Sequence, residues 1–540
     1  MTITVLILIV AFSFLNYYKT KKSLHMLQQN LYNENNRYVK WIIKNYRQFL
    51  NLELFTIIIS LIGTVVIYDL ETATTITLLI LSLLIFILSF SWRMNLKNEQ
   101  SKKKLVITHR IKRLMVTILI LFMIPLVIIG LHLNENTTIW PMILLLSIMT
   151  YLNYFVVLIA MFINTPIEKG VYLHYKNKAQ KKLKEMKHLK IIGITGSYGK
   201  TSTKNIVSDI LNCKYNALPT PKNLNTYYGL IMTINNYMDK FTDIFIAEMG
   251  AYVKGEIAGL CRLVKPKYGI LTTIGTAHLE SFGSEENIIE GKFELIESLP
   301  KDGFAVLNRD DPKQVNYQLK NKVRTIWIGI DNKDADIVAT NIKCSSTGTK
   351  FDVKIKDEKE LYHFETKLLG NHNVYNILDG IACGREFGIT MDDLIHAVKL
   401  VQPVEHRLEL KKIGNFYMID DAYNSNPVGA KKALEVLSMM PGQKVVVTPG
   451  MIELGPKEEE YNRIFGEQIS ELSSADYVIL IGEKKTRPIK EGLLTKGFDK
   501  ERIIVFNDVR QAYPFIGEIA TQKETYALFE NDLPDTYNEK

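Results

Sequence analysis

The chain has 540 residues, a formal net charge of +9 and only four cysteines. Its length calls for two to four domains. Cys213, Cys261, Cys344 and Cys383 are far apart and form no Cys-x-x-Cys pair, which excludes a disulfide framework and a structural zinc site and suits reduced cytosolic thiols. The basic residues gather in short segments between apolar runs near the N-terminus, a pattern of membrane topology rather than nucleic-acid binding.

Five apolar runs precede residue 165, at 2–17, 54–68, 74–91, 114–133 and 140–163. Most approach the ~20 residues needed to cross a bilayer. The first lacks a basic leader and a small-residue cleavage site, so it reads as an uncleaved anchor. Lys19, Lys21, Lys22, Arg37, Lys40, Lys44 and Arg47 follow run one, and eight Lys or Arg between Arg93 and Arg113 follow run three. Asp69-Leu70-Glu71 and Asn134-Glu135-Asn136, between the other runs, carry none. Basic loops stay cytoplasmic. The expectation is therefore a multi-pass membrane protein with an external N-terminus, five crossings in residues 1–165, and everything beyond in the cytosol. Residues 166–189 read as a basic, helical juxtamembrane linker attracted to anionic membrane lipid.

Ile191 to Lys204 reads IIGITGSYGKTSTK. An apolar run over Leu189 to Ile194 fits a buried strand, Gly196 to Thr201 a tight turn, and the rest the start of a helix. Glycines let backbone N–H groups approach a phosphate, the helix N-terminus adds partial positive charge, and Lys200 adds a full one. Thr201 is placed to put a hydroxyl on Mg²⁺. The spacing departs from the strict Walker pattern, because Ile194 stands where that pattern wants Gly; a chance Gly-Lys-Thr at a strand–turn–helix corner is the plainer alternative.

Strands and helices then alternate, as an α/β sheet requires. Candidate strands are 215–218, 244–249, 268–273, 304–307 and 325–328. The run IFIAE ends on Glu248, and a carboxylate at the end of a buried strand beside a phosphate loop is where Mg²⁺ is held. His278 sits in a loop and by itself is ordinary polar surface. From about 405 the pattern repeats, with strands at 416–419, 445–448, 478–481, 503–506 and 526–529, as in a smaller Rossmann-like sheet without a full dinucleotide glycine fingerprint.

Several ordered motifs carry a resemblance: GITGSYGKTSTK, TPKNLNTYYGL (220–230), AEMGA (247–251), TTIGTAHLESFGS (272–284), GKFELIESLP (291–300), AVLNRDDP (305–312), LLGNHNVYNILDG (368–380), HRLEL (406–410), DDAYNSNP (420–427) and GMIELG (450–455). Over roughly 190–530 the chain resembles the ATP-dependent Mur ligases, most of all the MurF type. The resemblance implies a P-loop central ATPase domain over 190–404 and a C-terminal Rossmann-like domain over 405–540. It implies an amide ligase that uses ATP and Mg²⁺, activates a carboxylate of a cell-envelope precursor as an acyl phosphate, and joins it to an amino acid or dipeptide.

The resemblance also distributes roles. Gly196, Ser197, Tyr198, Gly199, Lys200, Thr201 and Ser202 cradle the nucleotide phosphates. Thr201 and Glu248 hold one Mg²⁺, and His278 a second. Lys292 matches a lysine often carried as a carbamate, an anion able to bind metal; otherwise it is a helix-face lysine satisfied by Glu290, Glu294 and Glu297. Asn308 resembles an adenine contact, though an Asn-x-Asp-Asp-Pro turn also suits it. His372, Asn373 and Asn376 resemble the segment closing on the base, with capping of a helix starting near Val374 as the bland alternative. Arg407 resembles an arginine reaching ATP from the C-terminal domain, and Asp420 or Asp421 an acid near ribose or phosphate-bound water. Asn225, Thr226, Tyr423, Asn424 and Asn426 fall in loops matching the substrate and nucleotide flanks.

Three departures stand out. Membrane runs occupy the place of the small domain that grips the uridine-diphosphate sugar, so a lipid-linked donor is as open as a soluble one. Gly450 stands where MurF proteins commonly carry Asp. The acidic end LFENDLPDTY (528–537) replaces a Lys-Gly-Ser type stretch, and Glu530, Asp532 and Asp535 point to a different, cationic amine. A capsule or poly-γ-glutamate synthase shares the chemistry, and a nucleotide-binding scaffold without catalysis is the alternative from another class.

Overall fold

The computed structural model describes residues 2–30, 32, 36–45, 52–67, 70–98, 104–132, 135–276, 278–345, 347–422, 427–452, 454 and 457–531. They divide into two compact units, Met1–His174 and Tyr175–Lys540.

The first unit is helical. Its elements are α1 (Thr2–Gln29), α2 (Arg37–Lys44), α3 (Leu54–Ile62) with a π turn over Gly63–Ile67, α4 (Glu71–Asn98), α5 (His109–Leu131), α6 (Asn136–Tyr151) and the first part of α7 (Asn153–Glu185). Helix α1 packs along α4, and α6 packs on α3 and α5. Leu8, Phe12, Leu81, Ile85, Ile143 and Trp140 are buried between helices, while Ile3, Leu6, Ile80, Leu83, Leu119 and Ile124 face outward. Helices apolar on every side suit a bilayer, not water. Four of them (α1, α4, α5, α7) are long and apolar enough to cross a membrane, and the second run is a shorter apolar helix. The fifth run is divided at Leu152. Leu152 N–H bonds Ile148 O at the end of α6, and Val156 N–H bonds Leu152 O at the start of α7. A buried ion pair joins Lys19 of α1 to Glu53, whose other oxygen accepts from Trp92 Nε1 at 2.7 Å.

The second unit starts inside α7. Lys182 donates to Ile234 O at 3.0 Å and to Met238 O, and Asn235 Nδ2 donates to Tyr175 O at 2.9 Å. The expected linker is thus a helix to Glu185, fixed onto the end of the helix Tyr227–Asn236. Then follow β1 (Lys190–Thr195), α8 (Lys200–Leu211), β2 (Ala217–Pro219), α9 (Tyr227–Asn236), β3 (Ile244–Glu248), α10 (Glu256–Val264), β4 (Tyr268–Leu271), α11 (Leu279–Phe282), α12 (Glu285–Glu297), β5 (Phe304–Asn308), α13 (Pro312–Val315) and β6 (Arg324–Gly329). Three strands then run consecutively: β7 (Ile337–Ser345), β8 (Gly348–Ile355) and β9 (Leu361–Thr366). The sheet order is β2-β3-β1-β4-β5-β6-β7-β8-β9, parallel as far as β7 and antiparallel beyond. Strands β1 and β3 are near-continuous apolar runs because helices cover both faces of a parallel sheet. Sequence reading located the parallel strands but not the antiparallel extension β7–β9.

Helices α14 (Asn371–Glu386) and α15 (Met391–Leu400) close this domain. The C-terminal sheet follows, with β10 (Glu409–Ile413), β11 (Phe416–Asp421), α16 (Pro427–Ser438), β12 (Gln443–Thr448), α17 (Glu458–Leu472), β13 (Tyr477–Ile481), α18 (Glu483–Thr495), β14 (Ile503–Phe506), α19 (Ala512–Ile519) and β15 (Thr525–Glu530). Its order is β10-β11-β15-β12-β13-β14, parallel except for the edge strand β10.

Candidate active site

Strand β1 lies between β3 and β4, so the loops after these three strands share the crevice at their C-terminal ends. The loop after β1 turns through Gly196 and Gly199 into α8. A Cβ on Gly196 would stand 1.9 Å from Thr272 Oγ1, so only glycine fits. Thr272 in turn donates to Tyr198 O at 2.6 Å, pinning the turn to the end of β4. Lys200 folds back on the loop, donating to Gly196 O at 2.7 Å and Ser197 O at 3.1 Å. Burial holds its pKa below the usual lysine value, with Arg407 adding to the effect and Glu248 opposing it.

Glu248, buried at the end of β3, is the convergence point. Its Oε1 accepts from Thr201 Oγ1 at 3.2 Å and from Asn225 Nδ2 at 2.9 Å. Its Oε2 is buried without a hydrogen bond and lies 3.1 Å from Lys204 Nζ, which donates instead to Lys222 O at 2.7 Å. Thr226 is the N-cap of α9, accepting from Gly229 N at 3.3 Å.

His278 adopts a left-handed backbone, φ 63°, and its ring lies 4.5 Å from that of Tyr252. Partial burial, then Lys292 and Lys200, lower its pKa to about 4, so the imidazole is neutral at pH 7. Lys292 is buried on α12, with Nζ 3.4 Å from Ala251 O and 5.3 Å from the centre of the Phe282 ring. Burial and Lys200 bring its pKa down to about 7. Its helix neighbours make their hydrogen bonds elsewhere: Glu290 pairs with Lys254, Glu294 caps α10 through Gly255 N and Ala258 N, and Glu297 accepts from Tyr317 at 2.7 Å, while the charges of Glu256 and Glu294 oppose the lowering.

A cavity of about 130 Å³ opens beside the phosphate loop. Tyr198, Gly199 and Ser202 form one wall, Asn308, His372, Asn373 and Asn376 another, and Arg407 and Asp421 a third. Asn376 Oδ1 accepts from Thr203 at 2.8 Å and its amide donates to Asn373, so α14 buttresses the phosphate-loop helix; α14 begins at Asn371, so neither residue is its N-cap. Asn308 lines the cavity while its Oδ1 also holds the turn, accepting from Asp310 N at 2.9 Å. His406 and Leu408, at φ 59° and 50°, flank Arg407 with two left-handed residues, a strained turn. Of the two adjacent acids, Asp421 faces the cavity. Asp420 points to the opposite face and is paired with His406 and Lys411, each at 2.7 Å. Burial raises Asp421 to about 6, against the lowering influence of Arg407 and a hydrogen bond with Glu530, its cross-strand neighbour.

Residues 194–384 match the Mur ligase middle domain, and residues 406–528 match the Mur ligase glutamate ligase domain. The chain is 34% identical over 337 residues to the UDP-N-acetylmuramoyl-tripeptide–D-alanyl-D-alanine ligase of Bacillus subtilis, spanning 62% of this chain and 71% of that protein. It belongs to the Mur ligase family. The Escherichia coli ligase of the same name is 32% identical over 297 residues, covering 55% of this chain and 65% of that one. Among solved structures, MurF of Thermotoga maritima in complex with ADP superposes with a TM-score of 0.58 at 28% identity, covering 67% of this chain and 80% of that one. A MurF structure from Acinetobacter baumannii gives 0.59 at 25% identity, covering 67% and 77%.

This Mur ligase is therefore an ATP-dependent amide ligase by family, and its residues fit a divalent cation. A hydroxyl and a carboxylate are hard oxygen donors, and Glu248 Oε2 is a buried oxygen short of hydrogen bonds. No group of three His, Cys, Asp or Glu gathers among the described residues. Mg²⁺ takes one or two carboxylates and completes its shell with phosphate and water. Tyr423, Asn424 and Asn426, and Asp532 and Asp535, lie outside the described residues. Glu530 is buried under the sheet end, so it is not the exposed acid that an incoming cationic amine would meet.

Sequence reading missed Thr272, Asp379, Lys432 and Lys204. Asp379 and Lys432 line the cavity. Nothing local separates Lys432 from its neighbour Lys431. Lys204 did carry a signal: it stands one helical turn beyond Lys200, on the same face.

Proposed function

We propose that this Mur ligase is a membrane-anchored, MurF-like enzyme that joins a dipeptide or amino acid to a muramyl-peptide carboxylate in cell-envelope synthesis. The donor carboxylate attacks the γ-phosphorus of ATP, releasing ADP and forming an acyl phosphate. The incoming amine then attacks the acyl carbon, phosphate departs, and the amine proton passes to solvent. Lys200 and the loop N–H groups neutralise the transferring phosphoryl group. Arg407 approaches from the C-terminal domain, and closure of the two domains excludes water from the acyl phosphate. Thr201 and Glu248 would hold a Mg²⁺, which supplies charge neutralisation between two anions. Neutral His278 and a carbamate on Lys292 would hold a second.

One observation carries the reading: Lys292 is a buried lysine brought near neutrality by burial and Lys200, and the charges of Glu256 and Glu294 only partly offset this, neither being in salt-bridge contact with it. A helix-face lysine has no reason to be so placed. A lysine that reacts with CO₂ does, since only the neutral amine is nucleophilic. Apolar helices in residues 1–174 support anchoring. Together with the basic segments this favours a cytoplasmic catalytic unit and an external N-terminus.

The test is the full chain in nanodiscs with ATP, Mg²⁺ and D-alanyl-D-alanine, offered either UDP-N-acetylmuramoyl tripeptide or its undecaprenyl-linked counterpart. Donor-dependent ADP release and a product heavier by one dipeptide, less water, are expected. No ADP release with either donor would overturn the reading.

A further inference from the structure

Lys204 is buried to 1% exposure, deep between α8 and β3, in a chain where most lysines reach solvent. Its ammonium touches two things of different kind. One is Glu248 Oε2, 3.1 Å away; the other is the backbone carbonyl of Lys222, at 2.7 Å. Lys222 is itself left-handed, φ 49°, a conformation a non-glycine residue takes at some cost, and it lies in the loop that delivers Asn225 to Glu248. The loop is thereby fastened to one carboxylate twice, by Lys204 through Oε2 and by Asn225 through Oε1.

We propose that Lys204 is a positioning residue with two effects: it balances the Glu248 charge before a divalent cation arrives, and it ties the asparagine-rich loop to the cation site. The inference rests on reading Thr201 and Glu248 as that site. Lys204 and the cation then compete for one carboxylate. A unit charge about 3 Å from a buried carboxylate is a strong rival. Lys204 stands on Oε2, the oxygen left without a hydrogen bond for a cation to claim, and holds the loop in place through Lys222 O. Binding is weakened by this arrangement, and loop order is strengthened.

The two effects move measurable quantities in opposite directions. Mn²⁺ binding to the full chain without nucleotide is read by electron paramagnetic resonance. In Lys204→Met, Mn²⁺ affinity rises, about threefold or more. In the same variant, hydrogen exchange over 220–226 quickens about tenfold or more while β3 is unchanged. With turnover followed by release of ADP from ATP in the presence of UDP-N-acetylmuramoyl tripeptide, the tripeptide KM rises and the ATP KM does not. Lys204→Arg, which keeps the charge, restores wild-type Mn²⁺ affinity and exchange. Should Lys204→Met fail to accumulate, Lys204→Gln removes the charge and retains a donor; it tightens Mn²⁺ to the same degree.

Mn²⁺ affinity that is unchanged or weaker in the neutral variants overturns the proposal, as does undisturbed exchange over 220–226 in Lys204→Met. Glu248→Gln separates the two levels of argument. If it leaves Mn²⁺ binding intact, the cation site itself is misread; if it abolishes binding while Lys204→Met tightens it, both readings stand.

Discussion

Lys292 Nζ lies 3.4 Å from the carbonyl oxygen of Ala251, and that weak contact is the only hydrogen bond it makes among the described residues. Its neighbours Glu290 and Glu294 are committed to Lys254 and to the start of α10. An amine in that setting loses its proton near pH 7. Its lone pair then attacks CO₂ to give a carbamate, releasing one proton. The neutral fraction grows as pH rises, so carbamate is expected to form above about pH 7 and to fade below it. Carbon-13 NMR of protein exposed to labelled bicarbonate should show one carbamate resonance, absent in Lys292→Met. Turnover of that variant should fall by ~100-fold or more. A labelled protein with no such resonance at pH 8 would sink the idea.

Gly196→Ala tests the phosphate loop sterically. The added Cβ meets Thr272 Oγ1 at 1.9 Å, and the Thr272 backbone carbon only at 3.2 Å. ATP affinity should drop by more than ~10-fold through displacement of the loop. Combining it with Thr272→Ala removes the nearest clash and should restore part of that affinity, read by isothermal titration with ATP. Failure of the double variant to improve on the single one would mean that the loop's φ, rather than contact with Thr272, sets the requirement.

Asp421 provides a pH test of stability. Its folded pKa, about 6, exceeds the unfolded carboxylate value. The protonated form is therefore the one favoured in the fold. Its contribution is fully present below about pH 4 and is lost as pH rises through 6. Relative to wild type, Asp421→Asn should gain stability as pH increases from 4 to 7.5, by on the order of 2 kcal/mol. Thermal unfolding of both proteins across that range measures it. A constant difference would show that Arg407 and Glu530 hold Asp421 at an ordinary pKa.

In the helical unit, Lys19 and Glu53 form a buried pair, with Trp92 donating to the same carboxylate. Removing one partner leaves an uncompensated charge, costing about 3–5 kcal/mol, whereas removing both costs far less. Glu53→Leu should lower the melting temperature markedly, and Lys19→Met with Glu53→Leu should recover most of the loss. Tryptophan fluorescence in nanodiscs follows this, since Trp41, Trp92 and Trp140 all belong to this unit.

Much of the fold could be read locally. The strand–turn–helix from Lys190 to Leu211 is dictated by an apolar run, by glycines that permit the turn, and by a helix-forming stretch after it. All ten other strands expected by sequence are present, because a strand buried on both faces leaves a continuous apolar signature. The antiparallel β7–β9 escaped, since β7 alternates half-buried and exposed residues over its second half and so lacks the continuous apolar run by which the other strands are read. In the site, Lys200, Thr201 and Glu248 were legible from motif and strand end. The choice between Asp420 and Asp421 was not, because strand alternation sends neighbours to opposite faces and only sheet register tells which face holds the cavity.

The amino-acid order alone determined that this chain carries a phosphate loop, apolar helices and two α/β sheets, because backbone propensity and hydrophobic patterning act over a few residues. Tertiary structure decided which charges are met and which are left over. Lys292 sits in a run of glutamates yet forms no salt bridge with them, while Lys204, an ordinary helix lysine on paper, is locked onto Glu248. Whether a charge is compensated depends on burial and on what other segments bring within a few ångströms, and neither is a property of the local sequence.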